Sequence, residues 1–279
     1  MPTYFILSKS DFAGTSGNDS GNMQQYTELG WELAIFRIHF NELVRKKIFN
    51  VNSDFVVTNH DRAFLYTKYC KNVVSYDDFL KIKISSEDVV FNITSLYGGE
   101  DPTDTIFSQR MVWYTEDVKN NIYNTMLDLP DHNSILKNDN KFIAISIRKR
   151  DWCPERTPDE SKINKIIDLY IQKGFSIYVM GKSCEHYDNG TNIFHVTLPE
   201  LASLLNSDLC ERFISPVSGG GMIRFYTGQS KFTVIDKAGE SNNHVLLFGG
   251  DVDRIGNLNE SNFKIVKNED GIIDGLLKR

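Results

Sequence analysis

The residues best suited to chemistry lie at the ends of two apolar runs in the second half of this 279-residue chain. One run, Ile-Ala-Ile-Ser-Ile (143–147), passes straight into Arg148-Lys149-Arg150-Asp151. The other, Ile214-Ser215-Pro216-Val217, passes into Ser218-Gly219-Gly220-Gly221 and then a helical pattern. A strand, a Gly-rich turn and a helix in succession hold a phosphate, because backbone N–H groups and the helix dipole converge on the anion. An arginine at the tip of a neighbouring strand clamps the same phosphate bidentately. Arg148 is therefore the leading phosphate ligand, with Arg150 or Lys149 as a second contact. The plainer alternative is a solvated basic turn with an Arg–Asp pair. The glycines of 218–221 permit positive φ and close backbone approach. They match neither GxxxxGK[ST] nor GxGxxG, so the turn is neither a P-loop nor a dinucleotide fingerprint. Gly181-Lys182 and Leu198-Pro199 are two further tips, placed to flank a base or ribose or simply to turn the chain.

A reaction at such a site also needs a base. The polar loop 10–22 follows the first apolar run and carries Asp11 and Asp19, either of which can take a proton from an acceptor hydroxyl. His60, at a strand–helix junction, is the alternative base. Asp251-Val252-Asp253 has a spacing that binds a divalent metal and diphosphate in another class of sugar transferases, but in a Gly-rich loop it reads as a turn. No metal site is expected. Asp77-Asp78 reads as a helix N-cap.

These residues must be held by alternating strands and helices. Apolar runs at 3–8, 54–57, 72–75 and 88–93 read as strands, and 23–49 and 61–69 as helices. Segment 128–140 is polar and without period, the best linker. Strands follow at 141–147, 175–180, 193–196, 212–215 and 231–235. Thr157-Pro158-Asp159-Glu160 reads as a capping box opening a helix that stops at Gly174. Thr197-Leu198-Pro199-Glu200 opens another, and 220–227 a third. Beyond 238 the chain reads as loops, with a terminal helix near 271–278. The rhythm predicts two α/β units with parallel sheets, at 1–130 and 141–279, facing each other across a cleft. Ligands in such sheets bind at the carboxyl ends of the strands.

The net charge of −6 argues against nucleic acid as a partner. No apolar stretch is long enough for a membrane span. Cys70, Cys153, Cys184 and Cys210 have no metal-ligand spacing and read as reduced thiols. The expected location is cytoplasmic.

The second half resembles the donor domain of GT-B glycosyltransferases, nearest the fucosyltransferase and heptosyltransferase groups. Ser146-Ile147-Arg148-Lys149-Arg150-Asp151 resembles the His-x-Arg-Arg-x-Asp motif of the GT-B fucosyltransferases, in which Arg148 matches the arginine that holds the donor diphosphate. Residues 198–209, followed by Ile214-Ser215-Pro216-Val217-Ser218-Gly219, resemble the stretch before the Ser-Gly phosphate turn of those families. The resemblance covers 141–236; the first half agrees only in its strand–loop–helix rhythm. Ser146 replaces the motif histidine and Arg150 the usual glycine, which fits a different donor sugar. The Asn-, Lys- and Ile-rich composition suggests a large DNA virus or a microbe. The resemblance implies two Rossmann-like units and transfer of a sugar from a nucleotide-diphosphate donor to a glycan, glycoprotein or other hydroxyl acceptor. It implies an inverting reaction without a metal or other cofactor. The alternatives are another sugar-nucleotide-processing α/β enzyme and a non-catalytic nucleotide-binding protein.

Overall fold

The computed structural model describes residues 2–7, 40, 43–44, 46–92, 128–136, 140–147, 154, 157–180, 196–217, 221, 223–224, 230–237 and 263–278. The chain divides into two compact units, Met1–Leu129 and Pro130–Arg279, each built on its own sheet.

In the first unit, β1 (Thr3–Ile6), β2 (Phe55–Thr58), β3 (Asn72–Ser75) and β4 (Val89–Asn92) are all parallel, in the order β3-β2-β1-β4. The two inner strands, β1 and β2, are rich in aromatic and β-branched residues, as strands with both faces covered require. Alternation sends Tyr4, Ile6 and Val57 to one face, where they pack with Phe79 and the half-buried Phe55, Val74 and Ile82. Tyr4 stacks on Phe55 with ring centroids 4.8 Å apart. Phe5 points to the opposite face, 5.4 Å from Phe40, which in turn meets Phe49 at 4.7 Å. Buried Asp54 accepts the N–H groups of Thr3 at 3.2 Å and Asn50 at 2.8 Å, tying the start of β1 to the turn that feeds β2. The helix expected at 61–69 is a 3-10 turn, His60–Leu65. Of the helix expected at 23–49, only residues 40, 43–44 and 46–49 are described.

In the second unit, β5 (Phe142–Ser146), β6 (Ser176–Met180), β7 (Cys210–Pro216), β8 (Lys231–Ile235) and β9 (Phe263–Val266) form a parallel sheet in the order β6-β5-β7-β8-β9. One face carries Ile143, Ile145, Ile177, Val179, Ile214, Ile235 and Val266. Helix α2 (Glu160–Gln172) covers it with Ile163, Ile166, Ile167 and Tyr170, an i, i+3, i+4, i+7 stripe. Helix α3 (Leu198–Asn206) packs against β7. A right-handed crossover from β6 over β5 to β7 sets it on the other face, which carries the stacked pair Phe213–Phe232 at 5.5 Å. Ile272 and Ile273 of helix α4 (Asp270–Leu277) join the α2 side.

Several local expectations need correction. Asp159, not Thr157, caps α2: its carboxylate accepts the Lys162 N–H at 3.2 Å. Pro158 precedes the cap rather than opening the helix, and Thr157 instead closes a turn onto the Pro154 carbonyl at 2.9 Å. The stop at Gly174 holds. With φ at +84°, Gly174 donates to Ile171 O and Phe175 to Tyr170 O, a paired αL cap. The capping box at Thr197 and Glu200 forms as expected. Segment 128–140, expected as the linker, holds the division between the two units, Leu129/Pro130. It contains a 3-10 turn at His132–Ser134, and Ser203 of α3 donates to the Pro130 carbonyl at 2.6 Å. The region beyond 238, read as loops before the last helix, supplies β9, the edge strand of the sheet. The strand expected at 193–196 lies outside the described residues except for Val196.

Candidate functional site

Strand order fixes where a ligand belongs. In the second unit the chain runs from β5 outward to β6, then returns past β5 to β7. The order reverses between β5 and β7, and ligands bind outside the carboxyl ends of the strands at such a switch point. The register pairs Ile145 with Ile214, so β5 and β7 reach the rim side by side. The Ile147 N–H donates to the Met180 carbonyl at 2.8 Å and the Asp236 N–H to the Val266 carbonyl at 2.8 Å, which extends the ladder to a common rim. Ile147 and Val217 are the last described residues at the two strands of the switch point. In the sequence Arg148 and Ser218 come next. Arg148, Arg150, Gly181, Lys182, Ser218, Gly219 and Gly220 lie outside the described residues.

Gly221 is described, and it has a packing role. A Cβ there would stand 3.3 Å from Phe232 Cζ and 3.6 Å from Ser215 Oγ. The segment after the glycine run thus lies tight on β7 and β8. Arg224 fastens it. Its buried Nε donates to Ser230 O at 2.6 Å and to Ser230 Oγ at 3.1 Å. Burial pulls this guanidinium down to about 10, still charged at neutral pH. Leu198, the other described donor-side candidate, is the half-buried first residue of α3.

The rim also holds a charge cluster that sequence reasoning missed. Glu269, 1% exposed, accepts the Asp159 N–H at 2.8 Å. Lys237, two residues past β8, stands 3.6 Å from the same oxygen and donates to the Thr157 carbonyl at 3.0 Å. The cluster ties the starts of α2 and α4 to the end of β8, and so fixes the far end of the segment that carries Arg148. Nothing in the sequence marks Glu269 as buried, because its partners are a backbone amide and a lysine over thirty positions away.

In the first unit the switch point falls between β1 and β4, by the order β3-β2-β1-β4. The loop bearing Asp11 and Asp19 follows β1 in the sequence; both aspartates lie outside the described residues. His60 is described: it is exposed, at the carboxyl end of β2, one strand from the switch point. It lines a cleft of about 310 Å³ between the ends of β2 and β3, with Asn59, Ser75, Asp77, Asp78 and Lys81. Asp77-Asp78 is not the N-cap. Ser75 is, accepting the Asp78 N–H at 3.0 Å, and its hydroxyl donates back to Asp78 at 2.7 Å. The cap sits one turn earlier because Ser75 ends β3 with extended backbone, leaving Asp78 to answer it from inside helix α1 (Tyr76–Phe79). Lys81 Nζ reaches Asp78 at 2.8 Å. That bond, aided by Ser75, holds the Asp78 carboxyl below its usual range. Asn59 is 3% exposed, and its Oδ1 has no hydrogen-bond donor.

Among the described residues no three His, Cys, Asp or Glu side chains converge as metal ligands, and no helix is long and apolar enough to cross a membrane. Asp251 and Asp253 are outside them. Cys70 and Cys210 are buried free thiols.

Neither a protein-family model nor a curated protein matches the sequence. Solved structures do. A glycosyl transferase family 9 structure from Veillonella parvula superposes with TM-score 0.56 at 11% identity, over 100% of this chain and 97% of that one. The E. coli heptosyltransferase WaaC with ADP gives 0.50 at 9%, over 100% and 99%. The iron-containing dodecameric glycosyltransferase TibC from enterotoxigenic E. coli gives 0.51 at 12%; it is covered to 58% of its length, by 85% of this chain. At such identities the likeness is one of fold: this chain has the two-sheet α/β architecture of these glycosyltransferases.

Proposed function

We propose that the chain is a GT-B-type glycosyltransferase that moves a sugar from a nucleoside-diphosphate donor to a hydroxyl of a glycan or similar acceptor. One observation carries the reading. Arg148 and the Ser218–Gly221 turn, singled out by residue type, directly continue the two strands that flank the switch point of the second unit. That unit is the donor side in this reading, and the first is the acceptor side.

In the proposed reaction a carboxylate of loop 10–22, Asp19 or Asp11, takes the proton of the acceptor hydroxyl. The oxygen attacks the anomeric carbon from the side opposite the diphosphate, so configuration inverts. The C1–O bond to the diphosphate breaks, and its electron pair leaves on the phosphate. Arg148, with Arg150 behind it, and the backbone N–H groups of the glycine turn neutralise that charge as it grows. No metal is required for this. Gly181, Lys182 and Leu198 border the nucleoside. His60 is the reserve base if the loop carboxylates are not used.

WaaC was solved with ADP, and TibC in complex with ADP-D-beta-D-heptose. ADP-sugars are therefore the first donors to try. A thermal-shift series with ADP, UDP, GDP and CMP and their sugar conjugates tests the reading. A ligand that binds the native state stabilises it by about 2.7 kcal/mol at a hundredfold excess over Kd. One nucleoside diphosphate should raise the melting midpoint above the others. No response to any of them removes the donor site.

A further inference from the structure

We propose that Glu269 and Lys237 are positioning residues of the donor side: together they brace the segment that follows β5, and through it they set the grip of Arg148 on the donor diphosphate. This rests on the transferase reading. The carrying observation is where their contacts fall. Glu269 accepts the Asp159 N–H at 2.8 Å, and Lys237 donates to the Thr157 carbonyl at 3.0 Å. Both partners are main-chain atoms, one on either side of Pro158, whose ring already fixes φ. Lys237 Nζ stands 3.6 Å from Glu269, which closes the brace. The Thr157 N–H in turn donates to the Pro154 carbonyl at 2.9 Å, carrying the hold back toward Arg148. At its other end the segment leaves Ile147, whose N–H donates to the Met180 carbonyl at 2.8 Å. Residues 148–153 alone lie between these two anchors.

Helix formation does not account for the brace. Asp159 caps α2 with its own carboxylate, and Ile272 and Ile273 seat α4 on the apolar cluster. Neither helix needs a carboxylate at 1% exposure, which costs free energy to bury and is tolerated only when hydrogen-bonded and paired. Lys162 and Asp270 already join the two helices outside the brace, on the surface, where a screened pair contributes little. What Glu269 and Lys237 add is one fixed position for the point where the Arg148 segment lands. An arginine that meets a diphosphate through two parallel bonds gains affinity from such a hold, because less ordering is left to be done on binding.

The test is calorimetry on the full chain with ADP, UDP or GDP, whichever the thermal-shift series selects. It runs across a cycle of wild type, Lys237→Met, Arg148→Ala and the double variant. Lys237→Met keeps the stem and removes the ammonium. It should weaken binding about tenfold in the wild-type background and hardly at all beside Arg148→Ala, as residues acting through one another couple. Ile273→Val loosens the same helix without touching the brace, so it should lower the melting midpoint and leave affinity unchanged. Glu269→Gln keeps an acceptor for the Asp159 N–H and should fall between wild type and Lys237→Met. Trypsin reads the brace without nucleotide. Lys237→Met should be cut faster at Arg148, Lys149, Arg150 and Arg156 than either the wild type or Ile273→Val, because local opening exposes a segment to protease. Wild-type affinity in Lys237→Met overturns the proposal, as does a tenfold loss that persists beside Arg148→Ala. So does an equal loss in Ile273→Val, or cutting of 148–156 that does not change. If the wild type binds none of the nucleotides, the transferase reading falls instead, and the tryptic comparison alone decides whether the brace holds.

Discussion

Glu269 Oε1 accepts the backbone N–H of Asp159 at 2.8 Å, joining residues 110 positions apart in sequence. Lys237 stands 3.6 Å from the same oxygen. A buried carboxylate is tolerated here because an amide and an ammonium both face it. Glu269→Ala should therefore cost about 1–3 kcal/mol, the penalty for stranding buried polar partners. Glu269→Gln keeps an acceptor for the amide and should recover a large part. Urea midpoints of the three proteins decide it; an alanine variant as stable as the wild type would show that the tie contributes nothing.

Arg148→Ala should weaken nucleoside-diphosphate binding by roughly 2–4 kcal/mol with the melting midpoint unchanged, because a charge-assisted pair in a surface cleft is lost. Calorimetry on the folded variant reads this directly, and unchanged affinity refutes the assignment. Transfer should also survive EDTA, since Arg148 and backbone amides carry the charge a metal would neutralise. Loss on chelation that Mn²⁺ or Mg²⁺ restores would shift attention to Asp251 and Asp253.

Asp19→Asn should slow turnover by about 10²–10⁴-fold while leaving donor affinity intact, since asparagine cannot accept the acceptor's proton. Asp11→Asn is the paired measurement. If both variants turn over normally at saturating acceptor, the base lies elsewhere, and His60→Gln is the next substitution to assay.

Gly220 and Gly221 should respond differently. Gly220→Val should abolish donor binding more than it lowers stability, because a β-branched residue resists positive φ and holds the backbone off the phosphate. Gly221→Val should chiefly destabilise, by about 1–3 kcal/mol, because even a Cβ meets Phe232 at 3.3 Å. Melting midpoints beside nucleotide affinities separate the two. Equal loss of stability in both would make the whole run a packing device.

Burial pushes the Cys70 and Cys210 thiols from an ordinary 9.0 up to about 12. Neither should react with a thiol reagent at pH 8 until the chain unfolds. The sign of the linkage follows. Between pH 9 and 12 the unfolded chain sheds these protons while the fold retains them, so their contribution is present below pH 9 and fades above it. Fast modification of either cysteine in native protein would contradict the burial.

The fold was legible where periodicity and end signals agreed. Ile143 and Ile145 in an unbroken apolar run, Gly174 after a helical stripe and the Thr197–Glu200 box each carry a local cause for the element they make. β9 was missed because an edge strand of Phe-Lys-Ile-Val with two exposed positions shows no burial signature. The cap of α2 was misplaced by two residues because Thr157 and Asp159 are both good caps, and only the turn back to Pro154 tells them apart. Of the site, the sequence carried the residue types at strand ends. It could not carry strand order, which comes from pairings between distant segments. Nor could it show the cleft at β2 and β3, whose lining comes from positions 59–60 and 75–81 brought together only by parallel pairing.

The position of β9 and α4 in the second sheet also orders events during synthesis. Val266, Ile272 and Ile273 belong to the same buried cluster as Ile143 and Ile177. A ribosome-bound chain that has reached only Ile235 lacks the strand that covers β8 and the helix whose N-cap, Glu269, accepts the Asp159 N–H at the start of α2. Among the described residues the first unit pairs four strands within residues 3–92, and domains fold as units, N-terminal first. The first sheet can therefore close early in translation, while the second keeps an open edge at β8 until its last segment emerges. During that interval β8 is the surface that a chaperone or another nascent chain would meet.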